Sequence, residues 1–216
     1  TGIKIDDLVE TTNNFKYFDY IINTVDEQLT EDYVKKQQSI LKAGTSSEYN
    51  EYAPVGRYKV FENEVGQIAT AAVDQVEEAM YSLLLGYNFK KEKDLAYLAS
   101  FHARFEQIHP FADGNGRVGR LILYKECLKE GITPFIVDDT RKAGYYNALE
   151  QFQAYDNHQP LIDYFASEQK FYANYLKNKG FAGKINDSKD RDVINKKSKS
   201  ADDSHKKPNK TKSFSL

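Results

Sequence analysis

Residues 109–120 read HPFADGNGRVGR, and this stretch decides how the rest of the chain is interpreted. It lies between two segments whose apolar residues recur at helical spacing, so it predicts a loop that joins two helices. Pro110 disfavours helical backbone at the preceding residue, and the first helix should therefore end at His109. The glycines that follow allow backbone conformations that other residues resist. The stretch predicts an imidazole at a helix end, facing an irregular, glycine-rich loop.

The side chains of this loop indicate a polyphosphate site. Free N–H groups at a helix N-terminus bind anions. Arg117 and Arg120 are three residues apart in the first turn of the second helix, on one face, and a planar guanidinium grips phosphate with two donors. Asp113 adds a hard oxygen ligand for Mg²⁺, which usually binds through one or two carboxylates plus substrate phosphates. Together with His109 as a base, these groups indicate attack on a nucleotide phosphate.

The same residues resemble the signature of Fic domains, His-Pro-Phe-x-(Asp/Glu)-Gly-Asn-Gly-Arg-x-x-Arg, at every fixed position. Residues 56–59 (GRYK) are similar to the family's Gly-x-Tyr-Arg lead into a β-hairpin flap, and Tyr145-Tyr146 to its paired tyrosines near the nucleotide base. The resemblance covers about residues 5–178. It implies an all-α, Fic-type helical bundle with a small β-hairpin flap. It also implies a protein adenylyltransferase, which moves AMP from ATP to a Ser, Thr or Tyr hydroxyl of a target protein, or of itself, and releases pyrophosphate.

The resemblance assigns a role to each matching position. His109 would be the general base, and Asp113 would hold Mg²⁺ across the phosphates. The N–H groups around Gly114 and Gly116, with Asn115, would stabilise charge on the α-phosphoryl group. Arg117 and Arg120 would bind the phosphates, Val65, Gly66, Gln67 and Ile68 of the flap would pair with the target's backbone, and Tyr145, Tyr146 and Gln153 would border the adenine.

The apolar pattern predicts a mostly helical chain with three parts. Helices are predicted at residues 5–24, 30–43, 71–87, 93–108, 117–130, 139–154 and 159–178, and partial alternation over 57–68 predicts a short hairpin. The resemblance implies that residues 1–55 form the N-terminal helices of the Fic core and that 56–180 form its catalytic core, with flap 57–69 and motif loop 109–120. Residues 181–216 would be a disordered basic tail, because ten Lys and Arg stand against five Asp from Lys184 onward and few residues there are apolar.

Composition excludes several other classes of protein. No run approaches the roughly 18–20 apolar residues that a membrane span needs. The single cysteine among 216 residues cannot form an internal disulfide. Residues 1–183 hold 20 basic and 27 acidic residues, which argues against a nucleic-acid-binding domain. Because no signal stretch opens the chain, the cytoplasm is the default compartment.

The resemblance also raises the question of regulation. Members of the family are commonly restrained by a helix bearing (Ser/Thr)-x-x-x-Glu-(Gly/Asn). Here Glu precedes Gly or Asn only at Glu62 and Glu130, and four positions earlier stand Tyr58 and Glu126, so neither fits. The resemblance therefore suggests that an inhibitory helix lies in an N-terminal segment that is missing here, or that a separate antitoxin supplies it. It also implies that the protein behaves like a toxin when it modifies its target. A homodimer is also compatible with the sequence.

Two alternative functions stay open beside adenylyl transfer. In the Doc-type reaction ATP binds reversed and a phosphate moves instead, but that branch usually has Lys where this chain has Gly116. The other alternative is a nucleotide-binding interaction module with little catalysis. The absence of His109 or Arg117 would have favoured it, but both residues are present. His102, Glu106 and His109 could suggest a metal triad, but the spacing is not that of a zinc protease, and His102 is better explained as a core histidine.

Overall fold

The computed structural model describes residues 4–65 and 68–181 and is helical, as predicted. Within these ranges lie α1 (Ile5–Asn23), α2 (Glu31–Lys42), α3 (Val76–Phe89), α4 (Leu95–Ile108), α5 (Asn115–Lys129), α6 (Lys142–Tyr155) and α7 (Gln159–Leu176). The all-α fold class is therefore confirmed. Two short strands, β1 (Glu64–Val65) and β2 (Ile68–Ala69), pair antiparallel, with Glu64 opposite Ala69 and Val65 opposite Ile68.

The described residues up to Tyr172 form one compact unit, which holds the loop of interest, and those from Ala173 onward belong to a second unit. The predicted basic tail lies outside the described residues, apart from Phe181 at its start. None of the helices in the described ranges is long and apolar enough to cross a membrane.

The helices begin and end where local chemistry favours it. The side chain of Thr30 accepts a hydrogen bond from the Tyr33 N–H and caps α2, and Asp94 caps α4 in the same way. His109 follows α4 in a left-handed conformation with φ of 52°, because Pro110 disfavours continued helix. The loop therefore leaves α4 at the predicted residue.

The helices α4 and α5 approach each other closely and hold the loop between them. A Cβ on Gly119 of α5 would lie 2.4 Å from Oε1 of Glu106 and 3.0 Å from the Phe105 ring, so glycine permits this approach. The apolar residues Leu98 of α4 and Ile122 of α5 are buried in the surrounding core. Close packing on both sides fixes the two ends of the loop relative to each other.

A buried ion pair ties α5 to the rest of the bundle. The Nζ of Lys125 lies 2.6 Å from Oε1 of Glu126, and both side chains are buried. Lys125 also donates to the backbone oxygen of Glu27, and the Tyr87 hydroxyl donates to Glu126. Because each charge has a further partner, the pair anchors α5 to α3 and to the turn between α1 and α2 without leaving a charge uncompensated.

Candidate active site

His109 occupies the junction between α4 and the loop in a form suited to accept a proton. Its ring is half-buried, and the Nδ1 atom is buried. Burial lowers the pKa of His109 below its ordinary value of 6.5; a backbone hydrogen bond with Glu106 opposes this shift in part, and the positive charge of Lys59 adds to it. The imidazole is therefore neutral at pH 7, which is the form a general base requires.

The loop is shaped from within by Asn115. Its Oδ1 accepts from the Phe111 N–H at 2.8 Å, and its Nδ2 donates to the Phe111 carbonyl at 2.7 Å. Both polar ends of this buried side chain are thus used inside the loop. The phosphate-binding role of Asn115 stays a prediction, and it falls to the backbone N–H because the side chain is bonded within the loop.

The N-terminus of α5 opens into the loop without a side-chain cap. Gly114 precedes the helix with φ of 89°, a conformation that favours glycine, and no side chain bonds the first N–H groups. Gly116 faces the guanidinium of Arg120, since a Cβ there would lie 3.0 Å from Nη1. The first turn of α5 therefore presents backbone donors beside an arginine, which is an arrangement that binds anions.

Asp113 and Arg117 belong to a network of four charges that includes two residues from other helices. The Nζ of Lys42 lies 2.5 Å from both Oδ2 of Asp113 and Oε1 of Glu10. The other oxygen of Glu10 contacts Nη1 of Arg117, whose Nη2 lies 3.8 Å from Oδ1 of Asp113. Burial alone would raise the pKa of Asp113, but the Lys42 hydrogen bond and the charges of Lys42 and Arg117 hold it below 3.8. Asp113 is therefore an ionised carboxylate.

The donor set fits a magnesium ion bound together with phosphate. The Asp113 side chain is 57% exposed, so its carboxylate can be reached from solvent. No group of three or more His, Cys, Asp or Glu within the described ranges could hold a metal by itself. A cation at Asp113 would thus take its other ligands from phosphate and water, as Mg²⁺ usually does.

Of the residues predicted to border the adenine, the structure separates Tyr145 from the other two. Tyr145 is 1% exposed, and its hydroxyl lies 2.7 Å from Nε2 of His102 in the core. The prediction that Tyr145 contacts a base is therefore corrected: it lies beneath Arg120, whose guanidinium carbon is 6.0 Å from the ring centroid. Tyr146 is half exposed, and Gln153 is half-buried and donates to the Ala103 carbonyl.

His102 is a core histidine, as expected. It is 1% exposed, its Nδ1 lies 3.3 Å from the Gly119 carbonyl, and burial lowers its pKa to about 3. An uncharged imidazole fits this apolar setting. The alternative of a metal triad with Glu106 and His109 therefore has no support in the described residues.

The predicted flap is tied at its base to the loop. The Lys59 N–H donates to the Pro110 carbonyl at 2.8 Å, and the Lys59 ammonium donates to Asn63 and Thr70 at 2.7 Å each. Asn63 in turn donates to the Phe111 carbonyl at 3.1 Å. Lys59 and Asn63, which precede the hairpin, are thus hydrogen-bonded to the loop that follows His109. Gly66 and Gln67, predicted to contact a target, lie outside the described residues, and for Val65 and Ile68 only the backbone pairing is described.

Arg117 and Arg120 border an apolar cavity of about 470 Å³. Its other walls come from α1, α5 and residues 135–137, and they include Phe18, Tyr124 and Ile136. Neither Tyr146 nor Gln153 lines it. The arginines therefore stand between two regions, the glycine-rich loop and this cavity.

Glu106 is a buried carboxyl whose protonation affects stability. Burial raises its pKa from 4.5 to about 7, and its Oε1 has no hydrogen-bond partner among the described residues. A raised folded-state pKa gives stability that is complete below pH 4.5 and is lost as the pH rises through about 7. We expect Glu106→Gln, which stays neutral, to be more stable than the parent by about 3 kcal/mol above pH 8, with little difference near pH 4.

Urea unfolding between pH 4 and pH 9 measures this effect. Glu78→Gln, a change at an exposed glutamate of α3, is the matched control and should follow the parent protein at each pH. Parallel stability curves for the parent and Glu106→Gln would show that the pKa of Glu106 is the same in the folded and unfolded protein, which would contradict the raised value.

Sequence reasoning missed the charged residues that reach the loop from elsewhere. Glu10, Lys42 and Lys59 contribute to the site from α1, from α2 and from the base of the flap. A signal was present for α2, because Gln38 and Lys42 are polar residues one turn apart and both are buried. Polar side chains at helical spacing on a buried face need partners, and here the partner is the loop.

Comparisons with known proteins identify one family. A model of the Fic/DOC family matches residues 28–127. The chain is 37% identical over 54 residues to proteins named protein adenylyltransferase Fic from Drosophila melanogaster and Aedes aegypti, which is 25% of this chain and 11% of each relative. It therefore spans about a tenth of the length of these curated relatives.

Solved structures share the fold. A Fic-domain-containing signalling protein from Bacteroides thetaiotaomicron superimposes with a TM-score of 0.69 and 22% identity, over 78% of this chain and 70% of that one. BepC from Bartonella tribocorum, solved with bound AMPPNP, gives a TM-score of 0.56 and 19% identity, over 77% of this chain and 89% of that one. At these identities the similarity extends to the fold alone.

Proposed function

This chain contains a domain of the Fic/DOC family, and from that premise we propose that it is a protein adenylyltransferase. It would transfer AMP from ATP to a Ser, Thr or Tyr hydroxyl of a target protein and release pyrophosphate. The observation that carries this proposal is the loop between α4 and α5. There a neutral imidazole, an uncapped helix N-terminus and two arginines stand within residues 109–120.

The transfer step needs one base and one leaving group. The target's hydroxyl oxygen attacks the α-phosphorus of ATP, and the bond from that phosphorus to the oxygen bridging the β-phosphorus breaks. The hydroxyl proton passes to the imidazole of His109, and the electron pair leaves with pyrophosphate. The lowered pKa of His109 keeps the imidazole free to accept this proton at neutral pH.

The phosphates would be held by the start of α5. The N–H groups at the uncapped start of α5, at Asn115 and Gly116, would stabilise charge on the α-phosphoryl group, and Arg117 and Arg120 would bind the phosphate oxygens. Gly116 favours AMP rather than phosphate as the transferred group, because the Doc-type branch usually has Lys at this position. A Cβ there would lie 3.0 Å from Nη1 of Arg120, so a larger side chain would require that guanidinium to shift.

Asp113 is the residue that would hold Mg²⁺. When bound, this ion neutralises charge on the phosphates and fixes their orientation. Asp113 suits the role because it is ionised and solvent-accessible. The Oδ1 atom of Asp113 accepts a hydrogen bond from the Gly114 N–H at 2.6 Å, and this bond fixes the orientation of the carboxylate.

The adenine of ATP and the target protein would bind at different parts of the site. We place the adenine beside Tyr146, the exposed member of the tyrosine pair, with Gln153 two turns along α6. The target's backbone would pair along the flap, Val65–Ile68. BepC was solved with AMPPNP and a Fic domain from Bartonella quintana with ADP. These neighbours support an adenine nucleotide as the ligand of this chain.

Intact mass spectrometry after incubation with ATP and Mg²⁺ tests the proposal. The protein is incubated alone and with a cell lysate, and we expect a mass gain of one adenylyl group on this protein or on a lysate protein. A gain of one phosphate would instead assign the Doc-type reaction. The absence of any gain in either incubation would favour an interaction module over an enzyme.

A further inference from the structure

The helix α2 holds Asp113 through two buried side chains one turn apart. The Nε2 of Gln38 donates to the Asp113 carbonyl at 3.3 Å, and its Oε1 accepts from the Gly56 N–H at 2.6 Å. The Nζ of Lys42 lies 2.5 Å from Oδ2 of Asp113. The backbone and the carboxylate of Asp113 are therefore both fixed from the same face of α2.

Lys42 is confined to this position. Its side chain is 4% exposed, so the ammonium is shielded from water. Its second partner, Oε1 of Glu10, lies at 2.5 Å, and Glu10 is itself held by Arg117. The ammonium is thus placed between two carboxylates, one of which is the carboxylate expected to bind the cation.

We propose that Lys42 is a positioning residue that sets the affinity of Asp113 for its divalent cation, by acting as an internal counter-ion against which the cation must compete. This inference rests on the proposed function, in which Asp113 binds Mg²⁺. An ammonium within hydrogen-bonding distance of the metal-binding carboxylate repels a dication, and the repulsion is poorly screened at a partly buried site. The same ammonium keeps the carboxylate oriented while no nucleotide is bound.

Calorimetric titration of ADP at a series of Mg²⁺ concentrations tests this inference without any transfer reaction. The measured quantity is the Mg²⁺ concentration that gives half of the full increase in ADP affinity. We expect Lys42→Met to lower this concentration about tenfold, because the repelling charge is removed. Lys42→Gln, which is neutral but can still donate to Asp113, should act in the same direction and serves if the methionine variant does not fold. Lys42→Arg keeps the charge and should stay within about twofold of the parent.

Three results would overturn the inference. The first is an unchanged Mg²⁺ requirement in both neutral variants. The second is a higher requirement together with a lower melting temperature, which would mean that Lys42 only supports the fold. The third is an ADP affinity of Asp113→Asn that still responds to Mg²⁺ as in the parent, which would place the cation elsewhere. If the Lys42 effect is seen but AMP is never transferred, this inference stands and the proposed function fails.

Discussion

Replacing His109 with alanine is expected to lower the rate of AMP transfer by about 10²–10⁴, the usual contribution of a general base. The imidazole lies at the end of α4, and the loop beside it is held by the Asn115 side chain and by the Lys59 N–H, so we expect the fold to survive the change. Nucleotide affinity should change little, because the phosphate donors lie on α5. Initial rates with labelled ATP, together with a separate binding titration, measure both effects.

The pH dependence of the parent gives a second measure of the same role. Because burial lowers the pKa of His109 below 6.5, the rate should be constant at neutral pH and fall only below that value. His158→Ala is the matched control, since His158 pairs with Asp156 at the turn between α6 and α7. Its rate should equal that of the parent. A His109→Ala rate within a few-fold of the parent would mean that another group accepts the proton.

Replacing Arg117 with alanine is expected to lower transfer by about 10²–10³, the effect of removing one donor to a developing oxyanion. Arg117 lies in the first turn of α5 beside the uncapped N–H groups, and 30% of its side chain is exposed, so it can reach a bound phosphate. Arg117→Lys should recover only part of the rate, because an ammonium cannot bind two phosphate oxygens as a planar guanidinium does.

The control for this pair of variants is Arg104→Ala, which removes an exposed arginine from α4. It should transfer AMP at the rate of the parent. Melting temperatures of all three variants separate loss of transfer from loss of fold, since Arg117 also contacts Glu10. If Arg117→Ala and Arg104→Ala were equally active, Arg117 would have no part in phosphate binding.

Much of the fold could be predicted because its signals are local. The second helix was predicted at 30–43 and is observed at Glu31–Lys42, since Thr30 caps it and acidic residues fill its first turn. The third was predicted from residue 71 but begins at Val76, after a 3₁₀ turn at Val73–Gln75. No side chain caps this start, so the apolar pattern alone did not define the boundary.

The site was predictable only where it is continuous in the chain. His109, Asp113 and Arg117 are brought together by one loop, and a loop can be recognised from its residues. Glu10 meets Lys42 across 32 residues of chain and Arg117 across 107, so these contacts depend on how α1 and α2 are rotated against α5. No local pattern specifies that rotation.

The tyrosine pair illustrates the same limit. Adjacent helical residues point in directions about 100° apart, so Tyr145 and Tyr146 could not both face a ligand. Which of the two is buried depends on where His102 and Arg120 lie, and that is a property of the packed bundle.

The most direct test of the central claim is the origin of the transferred phosphorus. The protein is incubated with its target or a lysate in two parallel reactions, one with ATP labelled at the α-phosphorus and one with ATP labelled at the γ-phosphorus. Adenylyl transfer predicts that protein acquires label from the α position only, with labelled pyrophosphate released in the γ reaction. Label from the γ position only would contradict it and assign phosphate transfer.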